Sequence, residues 1–256
     1  AETPATNPPT TAPTDPPTPA PNEPPGVIGR SVNGTAIGAV RFGIGPNPVI
    51  VVGGIHAGYA PASVTVLGDA IHYFGTNPDA VPESVSLFFI DELNPDSERA
   101  VRQVAGRLNA NGVDLNRNFG CNWAANAMVL NQEVAGAGGS APISEPESAA
   151  LAKFIEDIQP KAVIVLGAAV PGGRVTAGLC EGGSAVSADL ATTFGAATGY
   201  QTFDNRNEAG TTLTGDVTDW LDSKGIPAIF ILLPHHVDSD WPAIKAGIEA
   251  VMKVQE

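Results

Sequence analysis

The chain has 256 residues and a formal net charge of −14 at pH 7, with 13 Lys and Arg against 27 Asp and Glu. That balance, without any cluster of basic side chains, argues against a nucleic-acid partner and against an anionic membrane surface. The longest apolar runs, "AVIVLGAAV" and "IPAIFILLP", reach about half the length that spans a bilayer, so no transmembrane segment is expected.

Residues 1–26, "AETPATNPPTTAPTDPPTPAPNEPPG", are mostly Pro, Thr and Ala. They carry no large apolar side chain to offset the entropy of ordering them. They are expected to form a semi-extended, polyproline-like arm that meets other protein chains, leaving 27–256 as one α/β domain. The sequence starts at Ala1 rather than Met. A Pro/Thr-rich segment there resembles a tether behind a removed signal or lipid anchor, so an extracytoplasmic location (secreted, periplasmic or cell-surface tethered) is expected.

Further along, "GTAIGAVRFG" (34–43) and "PVIVVGG" (48–54) read as strands joined by the turn "IGPN". The second runs into "GGIHAGYAP" (53–61), which displays His56 at a strand end. A histidine there suggests a metal ligand, yet Ala57, Gly58, Tyr59 and Ala60 give it no carboxylate or imidazole company. Helical spacing of Val64, Leu67, Ile71 and Phe74 predicts a helix over 61–74, with His72 on its solvent side. Residues 84–91, "SVSLFFID", form a third strand, and the Gly/Asn-rich stretch 108–140 lacks periodicity, as long functional loops do. The segment 144–158 reads as a helix with a Ser144/Glu147 capping box and Pro146 in its first turn. A strand at 161–167, a helix at 184–197, a short helix in 214–225 ended by Gly225, a strand in 226–234 and a helix at 240–254 complete the pattern.

Continuous apolar strands alternating with helices imply a sheet covered on both faces, with the active site at the carboxyl ends of the strands, where His56 falls. Cys121 and Cys180 have no CxxC spacing and no His-rich neighbourhood, so zinc ligation by them is not expected. In an exported protein the expectation is a disulfide, the alternative being two free thiols.

The stretch "NGVDLNRNF" (111–119) resembles the signature of zinc-dependent carboxypeptidases related to carboxypeptidase A. "GGIHAG", "LNPDSE" (93–98), "RLNANGVDLNRNF" (107–119), "SEPES" (144–148), "TGDVTDW" and "GIPAIFILLP" fit the same order, so the resemblance covers 27–256. It implies a mixed, mostly parallel twisted sheet of about eight strands with helices on both faces. The family holds zinc with a histidine, a glutamate shortly after it and a second histidine from a later strand, leaving one position for water. His56 matches the first ligand, but Tyr59 and Ala60 stand where the glutamate belongs and Gly167, Ala168 and Ala169 where the second histidine belongs. Leu232 replaces the general-base glutamate and Thr211 the tyrosine that closes over substrate. The resemblance therefore implies a degenerate member with no catalytic residue, no bound metal and no cofactor.

The substrate-holding half reads differently. Arg107, Asn116 and Arg117 match the residues that grip a peptide's terminal carboxylate and polarise its scissile carbonyl. The competing interpretation is that they fix their own loop. A metal set moved to His56 with His235 or His236 is opposed by the opposite directions of adjacent side chains on an extended segment. In the fold the resemblance implies, the loops carrying Cys121 and Cys180 are expected to approach each other at the rim of the old site. The expected role is a catalytically inactive binding or structural subunit. The alternatives are an active metallocarboxypeptidase acting on peptides such as those of cell walls, and a non-cleaving module for peptide C-termini.

Overall fold

The computed structural model describes residues 26–180, 185–203 and 213–255. In chain order, β1 (Gly26–Arg30), β2 (Ala36–Phe42) and β3 (Asn47–Val52) lead into α1 (Ala62–Thr76) and β4 (Val85–Ile90). After a long loop bearing the small hairpin β5 (Ala127–Val129) and β6 (Gln132–Val134) come α2 (Pro146–Ile158), β7 (Ala162–Ala169) and β8 (Arg174–Ala177). The chain continues with α3 (Ala188–Thr198), β9 (Gln201–Phe203), α4 (Val217–Ser223), β10 (Ala228–Leu233) and α5 (Trp241–Lys253). Eight strands make one mixed sheet in the order β1-β2-β4-β3-β7-β10-β8-β9. The central pairs β4–β3, β3–β7 and β7–β10 are parallel; β1–β2, β2–β4 and β10–β8 are antiparallel, and the edge pair β8–β9 is again parallel.

Alternation along the central strands divides the core into two layers. Val49 and Val51 of β3, Ile164 and Leu166 of β7, and Ile229 and Ile231 of β10 face Val66, Leu67 and Phe74 of α1, Phe194 of α3 and Ile248 of α5. Ile50, Val52, Val163, Val165 and Phe230 face the other way, toward Leu151 and Ile155 of α2 and Trp220 and Leu221 of α4. Because both faces are covered, these strands read as unbroken apolar runs. The expected α/β architecture with helices on both faces is the one observed.

Several local expectations need correction. Gly26, placed at the end of the arm from sequence, is the first residue of β1 and pairs with Ala39. The edge strands β1 and β9, and β8 beside β9, carry no readable periodicity. The Ser144/Glu147 capping box does not form: α2 is capped at Glu145 without a side-chain bond. Ser144 Oγ instead donates to Glu145, and the buried Glu147 accepts from Val32 N and Asn109 Nδ2. Pro146 does open the helix, and Gly225, at φ 73°, follows α4 in the left-handed conformation that favours glycine. His72 is exposed on α1, as its spacing predicts.

Candidate functional site

Strand β3 ends at Val52 and runs into Gly53 and Gly54, and residues 53–60 are all buried. The turn packs against the 98–106 loop so closely that a Cβ on Gly58 would lie 1.7 Å from the Glu98 carbonyl oxygen. Only glycine permits that approach. It sets His56, fully buried, beneath the carboxyl ends of the central strands.

Both imidazole nitrogens of His56 face an oxygen. Nε2 lies 2.8 Å from Asp114 Oδ1, and Nδ1 lies 2.6 Å from the carbonyl oxygen of Gly167 at the end of β7. Asp114, also fully buried, accepts from Arg107 Nε at 2.8 Å on its second oxygen and from the Asn116 backbone N–H on its first. Burial, and then the Arg107 charge, push the His56 pKa below its ordinary value against the opposite pull of Asp114 and the Gly167 carbonyl. For Asp114 burial works upward, but Arg107 and His56 together overcome it and hold the carboxyl well below the usual range.

Gly167 owes its position to a bulge. Ile231 of β10 pairs with Leu166 and Leu232 with Ala168, so Gly167 is skipped in the ladder and its carbonyl is free to turn to His56. A Cβ here would lie 2.3 Å from Ile55 Cγ2 and 2.8 Å from Phe230 Cζ. The position that carries the second histidine in the resembling family thus has neither a side chain nor room for one. Tyr59, at the glutamate position, packs edge-on against His236 with ring centroids 5.0 Å apart, and the Arg107 guanidinium lies 5.5 Å from the centre of its ring. Leu232 stands at the general-base position. This donor set does not fit a three-ligand zinc: one imidazole remains, and neither of its nitrogens faces open space. Among the described residues no group of three or more His, Cys, Asp or Glu is placed to hold a metal. His235 is exposed and His236 Nδ1 accepts from Arg102 Nε, so neither joins His56. Thr211 lies outside the described residues.

Arg107, Asn116 and Arg117 do come together around one small cavity of about 120 Å³, with Asp216, Phe230 and Leu232 also on its walls. Each has internal partners. Asn116 Nδ2 donates to Asp216 Oδ2 at 2.7 Å, and its Oδ1 accepts from Val217 N at 3.0 Å. Asp216 in turn caps α4 by accepting from Thr218 N and Asp219 N. Arg117 donates from Nε to the Met128 carbonyl and from Nη1 to the Asn116 carbonyl. Burial lowers its pKa, opposed chiefly by Asp114.

Sequence reasoning overlooked the carboxylates of this region. Asp114 lies inside the quoted signature, and Asp216, Asp219 and Asp222 space themselves along α4 to hold loops on both sides. Asp219 accepts from Leu179 N, and Asp222 from Cys180 N and Val186 N. A disulfide joins Cys121 and Cys180, with Cα atoms 6.0 Å apart. The bridge therefore fastens the chain at Cys180, which Asp222 also holds, to the end of the signature loop.

Residues 25–172 match the zinc carboxypeptidase family, Peptidase_M14. Murein peptide amidase A of Escherichia coli (strain K12) is 41% identical over 80 residues, and the match spans 28% of this chain and 31% of the amidase. The crystal structure of murein-tripeptide amidase from Escherichia coli O157 superimposes with a TM-score of 0.66 at 22% identity, over 93% of this chain and 94% of the amidase. Carboxypeptidase A from Helicoverpa armigera gives 0.65 at 18% identity, over 90% of this chain and 68% of that one. At such identities the superpositions speak for the fold. With the family match running from β1 through the bulge that replaces the second histidine, the chain belongs to the zinc carboxypeptidase family.

Proposed function

We propose that this protein is a catalytically inactive carboxypeptidase-like domain, placed outside the cytoplasm, that serves as a binding or structural subunit of a larger assembly. The carrying observation is that both nitrogens of His56 are engaged by Asp114 and Gly167. Leu232, which has no atom able to take a proton from water, supports it from the other side of the cleft. The disulfide and the Pro/Thr-rich arm support the extracytoplasmic placement. The competing reading, an active enzyme on cell-wall peptides, draws on the amidase relatives.

Elemental analysis decides between them, run beside an assay on peptides with free C-termini and on murein peptides. The expected result is less than stoichiometric zinc and no chelator-sensitive hydrolysis. One zinc per chain together with such hydrolysis overturns the proposal. The arm is proposed as the tether to other chains. A truncation starting at Gly26 should melt like the full chain and no longer co-purify with the assembly; an early melt or unchanged association refutes that part.

The cavity lined by Arg107 and Arg117 favours one further reading, a non-cleaving site for a peptide's terminal carboxylate. Calorimetric titration with a peptide and its C-terminally amidated form tests it, since only the free carboxylate should bind.

A further inference from the structure

We infer that the metal corner of the family has been rebuilt in this chain as a closed bracket, with the Gly167 carbonyl standing where a metal would meet His56. The inference rests on the reading that the chain holds no catalytic zinc, and goes beyond it: the corner now contributes to stability, and replacing the missing ligands does not return the metal.

The geometry assigns the roles. Asp114 takes Nε2 of His56, which leaves Nδ1 as the nitrogen open to a cation, and Gly167 O closes it at 2.6 Å. Asp114 and His56 are both fully buried, and Arg107 completes the chain of contacts at 2.8 Å. Three separate segments are thereby joined: the turn after β3, the loop containing residues 107–117, and the bulged end of β7. A neutral His56 donates through one nitrogen only, yet these buried contacts tie three segments together, and removing one member leaves other buried polar groups without partners.

Two further features make the change hard to reverse. The missing Cβ at Gly167 lets Ile55 and Phe230 fill the space a second imidazole would need. The Tyr59 ring packs against both His236 and the Arg107 guanidinium, so this position is part of the packing rather than a vacant ligand site.

The test restores the three-ligand set with Tyr59→Glu/Gly167→His and measures zinc per chain after equilibration with a slight molar excess of zinc and removal of the unbound metal. The expected result is well below one zinc per chain. If the double variant does not fold, Ile55→Ala is added to relieve the contact at Gly167, with the same expectation. Uptake of one zinc by either variant overturns the inference.

In parallel, His56→Ala in the otherwise natural chain is expected to raise the unfolding equilibrium constant about tenfold or more, equally with and without chelator. A His56→Ala protein as stable as its parent overturns the bracket. These failures are distinct from failure of the functional reading, which is shown by zinc in the unaltered chain.

Discussion

Two halves of one cleft depart from the family pattern in opposite ways. On the metal side the side chains themselves are gone: Tyr59, Gly167 and Leu232 stand at the positions of a ligand, a second ligand and the base, and only His56 remains. On the carboxylate side Arg107, Asn116 and Arg117 are all present, yet each is bonded to its own protein. Residue identity therefore reports function poorly on either side. What distinguishes a working polar group from a structural one is whether an atom is left for a ligand, and in a buried site internal partners compete for every such atom.

The comparison is most exposed at Asp114, which serves both halves by accepting from His56, Arg107 and the Asn116 backbone. Asp114→Ala leaves the Arg107 charge buried and unpaired, and should destabilise by about 3–5 kcal/mol. Chemical denaturation of the purified variant checks this. A loss as small as that of a surface substitution would mean that the two halves are not coupled through this carboxylate.

Next in size is the bridge. Joining Cys121 to Cys180 closes a loop with a sequence separation of 59, and in the chain-entropy account this is worth up to about 4 kcal/mol. Replacing both cysteines with alanine should lower stability toward that figure while leaving α4 in place, because Asp219 and Asp222 still hold the backbone N–H groups at positions 179, 180 and 186. Melting and amide exchange of the double variant separate the two contributions.

Asn116→Ala should cost about 1–3 kcal/mol, since it strips a buried partner from Asp216 and from Val217 N. A residue kept only to grip substrate would show no such loss. Urea unfolding is the measurement, and a change near zero would restore Asn116 to the binding face.

Much of this molecule is legible in its sequence, and the exceptions have physical causes. Val49–Val52, Ala162–Leu166 and Ala228–Ile231 announce themselves because strands buried on both faces carry little else but apolar residues. β1 and β9 do not, because their residues are exposed or half-buried and each has only one pairing partner. Ser144 and Glu147 have the spacing of a capping box, yet Asn109 and the Val32 N–H, both distant in sequence, claim Glu147. The signature "NGVDLNRNF" names the family and locates Asn116. The bond from Asn116 to Asp216 spans 100 residues and has no local signal. Nor does a string of letters reveal that Gly167 is a bulge whose carbonyl takes a histidine nitrogen.

The smallest expected effect is the most direct probe of the contrast, because it sets one half of the cleft against the other. Leu232 is half-buried, and its side chain lines the cavity shared with Arg107 and Arg117. Leu232→Glu puts a carboxylate back at the base position. Burial disfavours its charge, but two guanidinium groups on the same cavity favour it, so the opposing contributions should nearly offset and the stability change should stay within about 1 kcal/mol. With those contributions offset, the new carboxylate should titrate close to the ordinary glutamate range. Activity is where the two halves part. With His56 Nδ1 still on the Gly167 carbonyl, no metal-bound water is there for the glutamate to deprotonate, and no hydrolysis of C-terminal residues should follow. Thermal melting with a peptide-release assay on the same preparation gives both readings. Release of a C-terminal residue by Leu232→Glu alone would show that the metal side had lost only its base.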